Sequence, residues 1–235
     1  MAMFRAGCLL AVLLLCGCAP TTVAPEQMHA IRRVAVISAI GDKFTVQKLS
    51  LNLFEGKQRT IPIGAWGIDQ FVVKKVGSVL AGRFEVRPLA YQPVPEANDV
   101  DVKIVEGVRA QSAPTDIGAY IVVTKSMTED NSKQRYYGLG IVDHALFGHR
   151  VELYVLYDMT VVDGNDLSVI TSTQKFLAPG PLLAPQPTNI AWRELDESWM
   201  PATLDAAQNM RLKGAVTELL DRNLPGTIES LKLRQ

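Results

Sequence analysis

RVAVISAI, residues 33–40, is a run of small and β-branched residues with a single hydroxyl, the composition of a strand buried on both faces. The segments downstream of it decide the fold. Residues 68–80 carry Ile68, Val72, Val76 and Val79 at helical spacing, with Lys74 and Lys75 off that face and Gly82 placed as the residue that ends the helix. A short strand is expected at 84–89. Residues 99–108 carry Val100, Ile104 and Val108 on one stripe behind Asp99 as a cap; the alternation Val100-Asp-Val-Lys also fits a strand, but a helix is expected because AYIVVT, 119–124, must come next as a strand. Strand, helix, strand, helix, strand is the order of an α/β layer.

Around this layer the pattern changes. Residues 44–54 and 59–63, joined by Glu55-Gly56-Lys57, read as a hairpin, with Gly41-Asp42 as the turn leading into it. Val151, Leu153, Val155, Tyr157, Met159 and Val161 alternate along one face of a long strand, 151–162. Asp163-Gly-Asn-Asp166 turns it into a partner at 167–176. Residues 178–188 (APGPLLAPQPT) are an extended proline-rich loop, 192–199 a helix, and 203–222 a second helix with Leu212, Ala215, Val216 and Leu219 inside, stopped by Asn223 and Pro225. The expected fold is α/β (α+β): one domain, a mixed sheet with a long antiparallel hairpin, and packing helices.

The amino terminus carries an address. After Arg5 the apolar run is much shorter than the ~20 residues of a spanning helix, so it reads as a signal peptide. Its end, Leu15-Cys16-Gly17-Cys18, resembles the lipobox of bacterial lipoproteins: a branched apolar residue, a small one, then the obligatory cysteine. The resemblance implies cleavage before Cys18, diacylation of its thiol and a further acyl chain on the new amine. Ala19, where that family's sorting rule places Asp for inner-membrane retention, implies the outer membrane, periplasmic face. The expected organisation is a signal peptide (1–17), a lipidated cysteine and tether (18–31), and one periplasmic domain (32–235). Cys8 and Cys16 leave with the signal and Cys18 takes lipid, so the domain has no disulfide and its core must suffice alone.

Composition narrows the function. Lys+Arg and Asp+Glu both number 24 and the net charge is zero, against a nucleic-acid partner, which needs clustered cations. Gly41-Asp42-Lys43 lacks the serine that a GDSL-type esterase needs, and Ala39 and Gly41 stand where a metallophosphoesterase needs Asp and His. Ser172-Thr-Gln-Lys175 matches S-x-x-K, but on a strand the two side chains point to opposite faces. His144 and His149 lie five apart, wrong for a zinc pair on a helix, and His29 falls in the tether. The acidic turn 163–166 is too short for a calcium loop. No catalytic residue, metal or cofactor is assigned.

Segments RVAVISAI, FEVRPL, AYIVVTKS and YDMTVVDG before a closing helix resemble small envelope α/β modules: the TolB amino-terminal domain, the curli-secretion lipoprotein and the lipoproteins that activate penicillin-binding proteins. The resemblance implies a non-enzymatic, protein-binding accessory module. Trp192, Leu195 and Trp199, at i, i+3 and i+7, with Leu182 and Leu183 in the proline-rich loop, are the expected partner-binding residues; the bland alternative for the tryptophans is a core seal. Tyr136-Tyr137-Gly138 reads as an exposed hairpin rim. The competing expectation is an envelope hydrolase drawing on Asp42, His144 and His149; a further one is a homo-oligomer built by the 151–176 hairpin. Cys18→Ala should abolish incorporation of labelled palmitate in growing cells while Cys16→Ala leaves it intact, read by gel autoradiography; retained label in Cys18→Ala would refute the assignment.

Overall fold

The computed structural model describes residues 25–49, 57–89, 101–112, 116–130, 133–144, 150–173, 189–201 and 205–234. Two units are distinguished, Met1–Ala30 and Ile31–Gln235. In the first, the stretch expected to be a tether contains a short helix, α1 (Pro25–Ala30).

In the second unit everything is built on β9 (Arg150–Asp163), a strand of 14 residues and about 46 Å. One edge of β9 pairs antiparallel first with β8 (Leu139–His144) and then with β5 (Ala119–Lys125). These lie end to end: Leu156 donates its N–H to the Gly138 carbonyl at 2.8 Å and accepts from Ser126 N–H at 3.0 Å. The next row repeats the arrangement, with β1 (Arg33–Ala39) parallel to β5 and β2 (Lys43–Leu49) parallel to β8. Outermost, β4 (Glu85–Arg87) runs parallel to β1 and β3 (Lys57–Pro62) antiparallel to β2. The opposite edge of β9 takes β10 (Val169–Ser172) and β11 (Ile190–Leu195). The sheet is therefore long, mixed and centred on one strand.

Helix α2 (Ile68–Leu80) and the long α4 (Ala206–Ser230) cover the face onto which the odd-numbered residues of β9 point. Tyr157 Oη meets Thr227 Oγ1 there at 2.7 Å in a buried contact. Helix α3 (Asp101–Ser112) covers half of the other face, burying Ile104, Val105 and Val108 against Ala35, Ile37, Tyr120, Val122 and Val162. The helix reading of this ambiguous segment is the correct one, and the proposed cap Asp99 lies outside the described residues.

Four local expectations change. Helix α2 ends at Leu80 as read, but Gly82 is not left-handed; Ala81 N–H closes the last turn on the Gly77 carbonyl. The partner of the long strand is four residues, not ten, among those described. Residues 190–195 form β11 and only Glu197–Trp199 is helical, as one 3-10 turn. The reason is the open edge of β9 from Val151 to Leu156, whose backbone groups need partners and find them in this segment. Helix α4 runs through Asn223 and Pro225. Proline removes one N–H at a cost of about 3 kcal/mol, which burial of Leu224 before it and Ile228 beyond it offsets.

Because β9 has neighbours on both edges and is buried on both faces, it is not free to recruit a second copy of the chain. The Tyr157–Thr227 contact is a buried polar link between α4 and the sheet. Thr227→Val strands a buried phenol and should cost about 1–3 kcal/mol, Tyr157→Phe about 1. In a double-mutant cycle by urea denaturation the two losses should couple rather than add.

Candidate functional site

At mid-sheet the collinear strands are interrupted. Between β5 and β8 the chain leaves the sheet as a hairpin, β6 (Met127–Glu129) and β7 (Arg135–Tyr137). In the adjacent row the chain passes from β1 to β2 through Ile40, Gly41 and Asp42, using more residues than the facing row needs, and the surplus bulges out. Gly41 takes φ +96°, a conformation costly to any side chain. The expected turn is there, but it is a break in a continuing row.

Asp69, in the first turn of α2, holds the bulge. Its Oδ1 accepts from Ser38 Oγ at 2.6 Å and Ile40 N–H at 3.0 Å. Burial lifts its pKa above the ordinary 3.8, opposed by these donors and the Gly41 N–H and assisted by the charge of Asp42. The helix start is itself set by Gly67, left-handed at φ +64° after a 3-10 turn, Gly64–Trp66. Sequence reading passed over Asp69; its signal was an acid at the first turn of a well-defined helix, two residues beyond a glycine.

A cavity of about 560 Å³ opens beside this break. Its floor is the sheet face of β2, β3, β8 and β9, where cross-strand partners form two rungs: Thr60–Thr45–Gly140–Tyr154, and Gln58–Gln47–Val142–Glu152. Gly140 is required, because a Cβ there would lie 2.2 Å from the Tyr154 hydroxyl and 2.6 Å from the Thr45 carbonyl. Burial raises the Tyr154 pKa to about 12, with Thr45 opposing. The hairpin forms a wall. Tyr136, expected at an exposed rim, is buried, its ring 5.5 Å from Tyr154 and 5.2 Å from Trp192, and its hydroxyl donates to Asp130 Oδ2 at 2.9 Å. Tyr137 is the exposed one, at 47%. Lys43, Lys125, Arg135 and Asp42 supply charge around the cavity.

The other expected residues lie elsewhere. His144 pairs with Leu49 at the far end of β2, about 23 Å along the strand from Asp42, and its Nε2 is 3.0 Å from Glu152 Oε2. Asp42 and His144 thus share no site. Trp192 and Leu195 point to opposite faces of β11, Trp192 packing on Tyr136 and Tyr154, so no common stripe exists. Trp199 is half-buried in its 3-10 turn with the Arg211 guanidinium 3.7 Å above the ring. Ser172 is on β10, its Oγ 2.8 Å from Thr160 Oγ1, which agrees with the strand reading that disqualified S-x-x-K. Asp163 Oδ1 accepts from Asn165 N–H at 2.7 Å, making 163–166 a turn. Cys18, His149, Lys175, Leu182 and Leu183 lie outside the described residues. Among the described residues no group of His, Cys, Asp or Glu is arranged to hold a metal ion, and no helix is long and apolar enough to cross a membrane.

No family model matches the sequence, and no curated protein does. Among solved structures the chain is similar to the PelC dodecamer from Paraburkholderia phytofirmans, at 12% identity over 87% of this chain and 89% of that one, TM-score 0.32. It is similar to lipoprotein GNA1162 from Neisseria meningitidis, at 9% identity over 81% of this chain and 99% of that one, TM-score 0.27. A third is a Xanthomonas campestris protein of the family model DUF330, at 10% identity over 85% and 88%, TM-score 0.29. These distant likenesses stop short of a shared family.

An acid with a raised folded-state pKa holds its proton more tightly in the native state, so ionisation costs stability as pH rises. The stability of wild type minus that of Asp69→Asn should therefore fall as pH climbs from 3.8 and level off once the raised folded pKa is passed. Urea denaturation at stepped pH measures it; a flat difference would show that Asp69 is not desolvated.

Proposed function

We propose that this chain is a lipid-anchored accessory protein on the periplasmic face of the bacterial outer membrane, which holds a protein partner and turns over no substrate. The observation that carries the reading is the lipobox-like Leu15-Cys16-Gly17-Cys18 ahead of a unit, Ile31–Gln235, whose core contains no cysteine. A domain so built keeps its stability in an oxidising compartment through burial alone. The hydrolase alternative loses its constellation. Asp42 stands without His144, and the better-buried carboxylate, Asp69, spends its Oδ1 on Ser38 and the Ile40 N–H.

For the partner surface, support falls on Trp199 rather than Trp192, whose ring is already committed to Tyr136 and Tyr154. Trp199 carries a stacked arginine, and Met210, next to that arginine in α4, is 73% exposed. Aromatic, arginine and methionine side chains are those enriched at protein contacts. Leu182 and Leu183 are proposed to add to this surface.

The test is in-cell photo-crosslinking from position 199 in the full-length lipoprotein, with the adducts then identified by mass spectrometry. A defined envelope protein should be captured, with at least a tenfold loss of adduct in Met210→Glu and in the unanchored Cys18→Ala. Adducts confined to a second copy would replace the partner reading with self-assembly; capture of abundant lipoproteins alone would end it.

A further inference from the structure

The cavity beside the sheet break holds more hydrogen-bonding capacity than the fold uses. Gln47 is 5% exposed and lines it, yet its side-chain amide has no hydrogen-bond partner among the described residues. The Tyr154 hydroxyl lies fully buried beneath the floor, with the Thr45 side chain as its neighbour. A buried polar group left open costs about 1–3 kcal/mol. Such groups are normally satisfied, so the unpartnered Gln47 amide on the cavity floor marks a place where something entering the cavity completes the set.

The surroundings narrow what that is. The cavity is within the range of small-molecule sites. The floor offers the Gln47 amide and the Thr45 hydroxyl, each able to donate and to accept, which an apolar ligand would leave unmet. An unprotonated inorganic anion such as sulfate would accept only, leaving their acceptor capacity unused. A peptide cannot add as a strand here, because β2 is paired on both edges and presents only side chains to the cavity. Hydroxyl groups that donate and accept in turn are the match. The half-exposed Tyr137 ring provides an apolar plane for the C–H face of a sugar ring. Lys125, which makes no ion pair among the described residues, and Arg135, shared with Glu129 at 3.1 Å, provide positive charge. With Lys43 the lining carries three cations against the two carboxylates of Asp42 and Asp69. Asp42 is exposed and provides one acceptor.

We propose that this cavity is a binding site for an acidic saccharide. Gln47 and Thr45 take the ring hydroxyls, Tyr137 stacks on the ring, and Lys125 with Arg135 takes the carboxylate. The site requires neither the lipid anchor nor the contact surface around Trp199.

The test is isothermal titration of the full-length protein in detergent with trigalacturonate and a hyaluronan tetrasaccharide, beside maltotriose and inorganic phosphate. At least one uronate probe should bind saturably, and maltotriose about tenfold more weakly, the equivalent of 1.4 kcal/mol. Gln47→Leu and Tyr137→Ala should each weaken binding by at least tenfold. Tyr137→Ala, at an exposed position, keeps the test valid should Gln47→Leu disturb the sheet. No saturable binding of either uronate overturns the proposal. So does phosphate binding as tightly as the uronates, which would mean a simple anion site, and so does binding indifferent to both substitutions.

Discussion

The pairing of β9 along both of its edges is the constraint on which the rest of this structure depends. One strand of 14 residues organises four others directly, two collinear on each side, and its side chains are buried on both faces from Tyr154 to Val162. A strand so enclosed must have every backbone group paired, since water cannot reach them. That requirement draws β11 onto the open stretch from Val151 to Leu156, and it draws β5 and β8 into register with each other although a hairpin separates them in sequence. Where β9 buries polar side chains, partners close around them: Asp158 accepts from Asn189 Nδ2 at 2.9 Å, and Thr160 meets Ser172.

The cavity arises from the same arrangement. Two half-strands laid end to end leave a seam, and in both rows beside β9 the chain spends extra residues there: the β6–β7 hairpin in one, the Gly41 bulge in the other. The seam therefore has a wall and a rim, and Asp69 ties its edge to the start of α2. Gly140 is the counterpart on the floor. Its missing side chain lets the Tyr154 ring cross the sheet, bringing the phenol under Thr45 and giving Tyr136 and Trp192 an aromatic surface to pack on. Polar side chains are thus concentrated where the sheet is interrupted.

Much of the fold was legible in the residues. The boundaries of α2 come from the spacing of Ile68, Val72 and Val76, which all point to the core, and β1, β5 and β9 from runs of β-branched residues too apolar for any surface element. Less of the site was legible. Asp42 was noticed for standing after a strand, yet Asp69, which does the holding, is an ordinary helix-start acid until the fold sets it against Ser38 and Ile40. Gln47 and Thr45 are plain polar residues on an alternating strand; only β3 and β8 on either side make Gln47 a buried amide. Trp192 misled for a related reason. Spacing i, i+3, i+7 with Leu195 and Trp199 is real, but the unpaired edge of β9 outweighed the helical preference of a short segment.

Sequence alone determined the α/β class, the strand–helix–strand order of the first half, the long central strand, and the lipobox-like segment from which an anchor at Cys18 is read. These rest on local pattern, where each residue's chemistry and spacing speak for themselves. Tertiary structure decided which edges meet. It turned 190–195 into a strand, carried α4 through Pro225 by burying Leu224 and Ile228, and made a polar cavity from residues far apart in the chain. The physical reason is that backbone pairing and burial are satisfied over the whole molecule, and a short segment yields its own preference when a distant strand would otherwise be left unpaired.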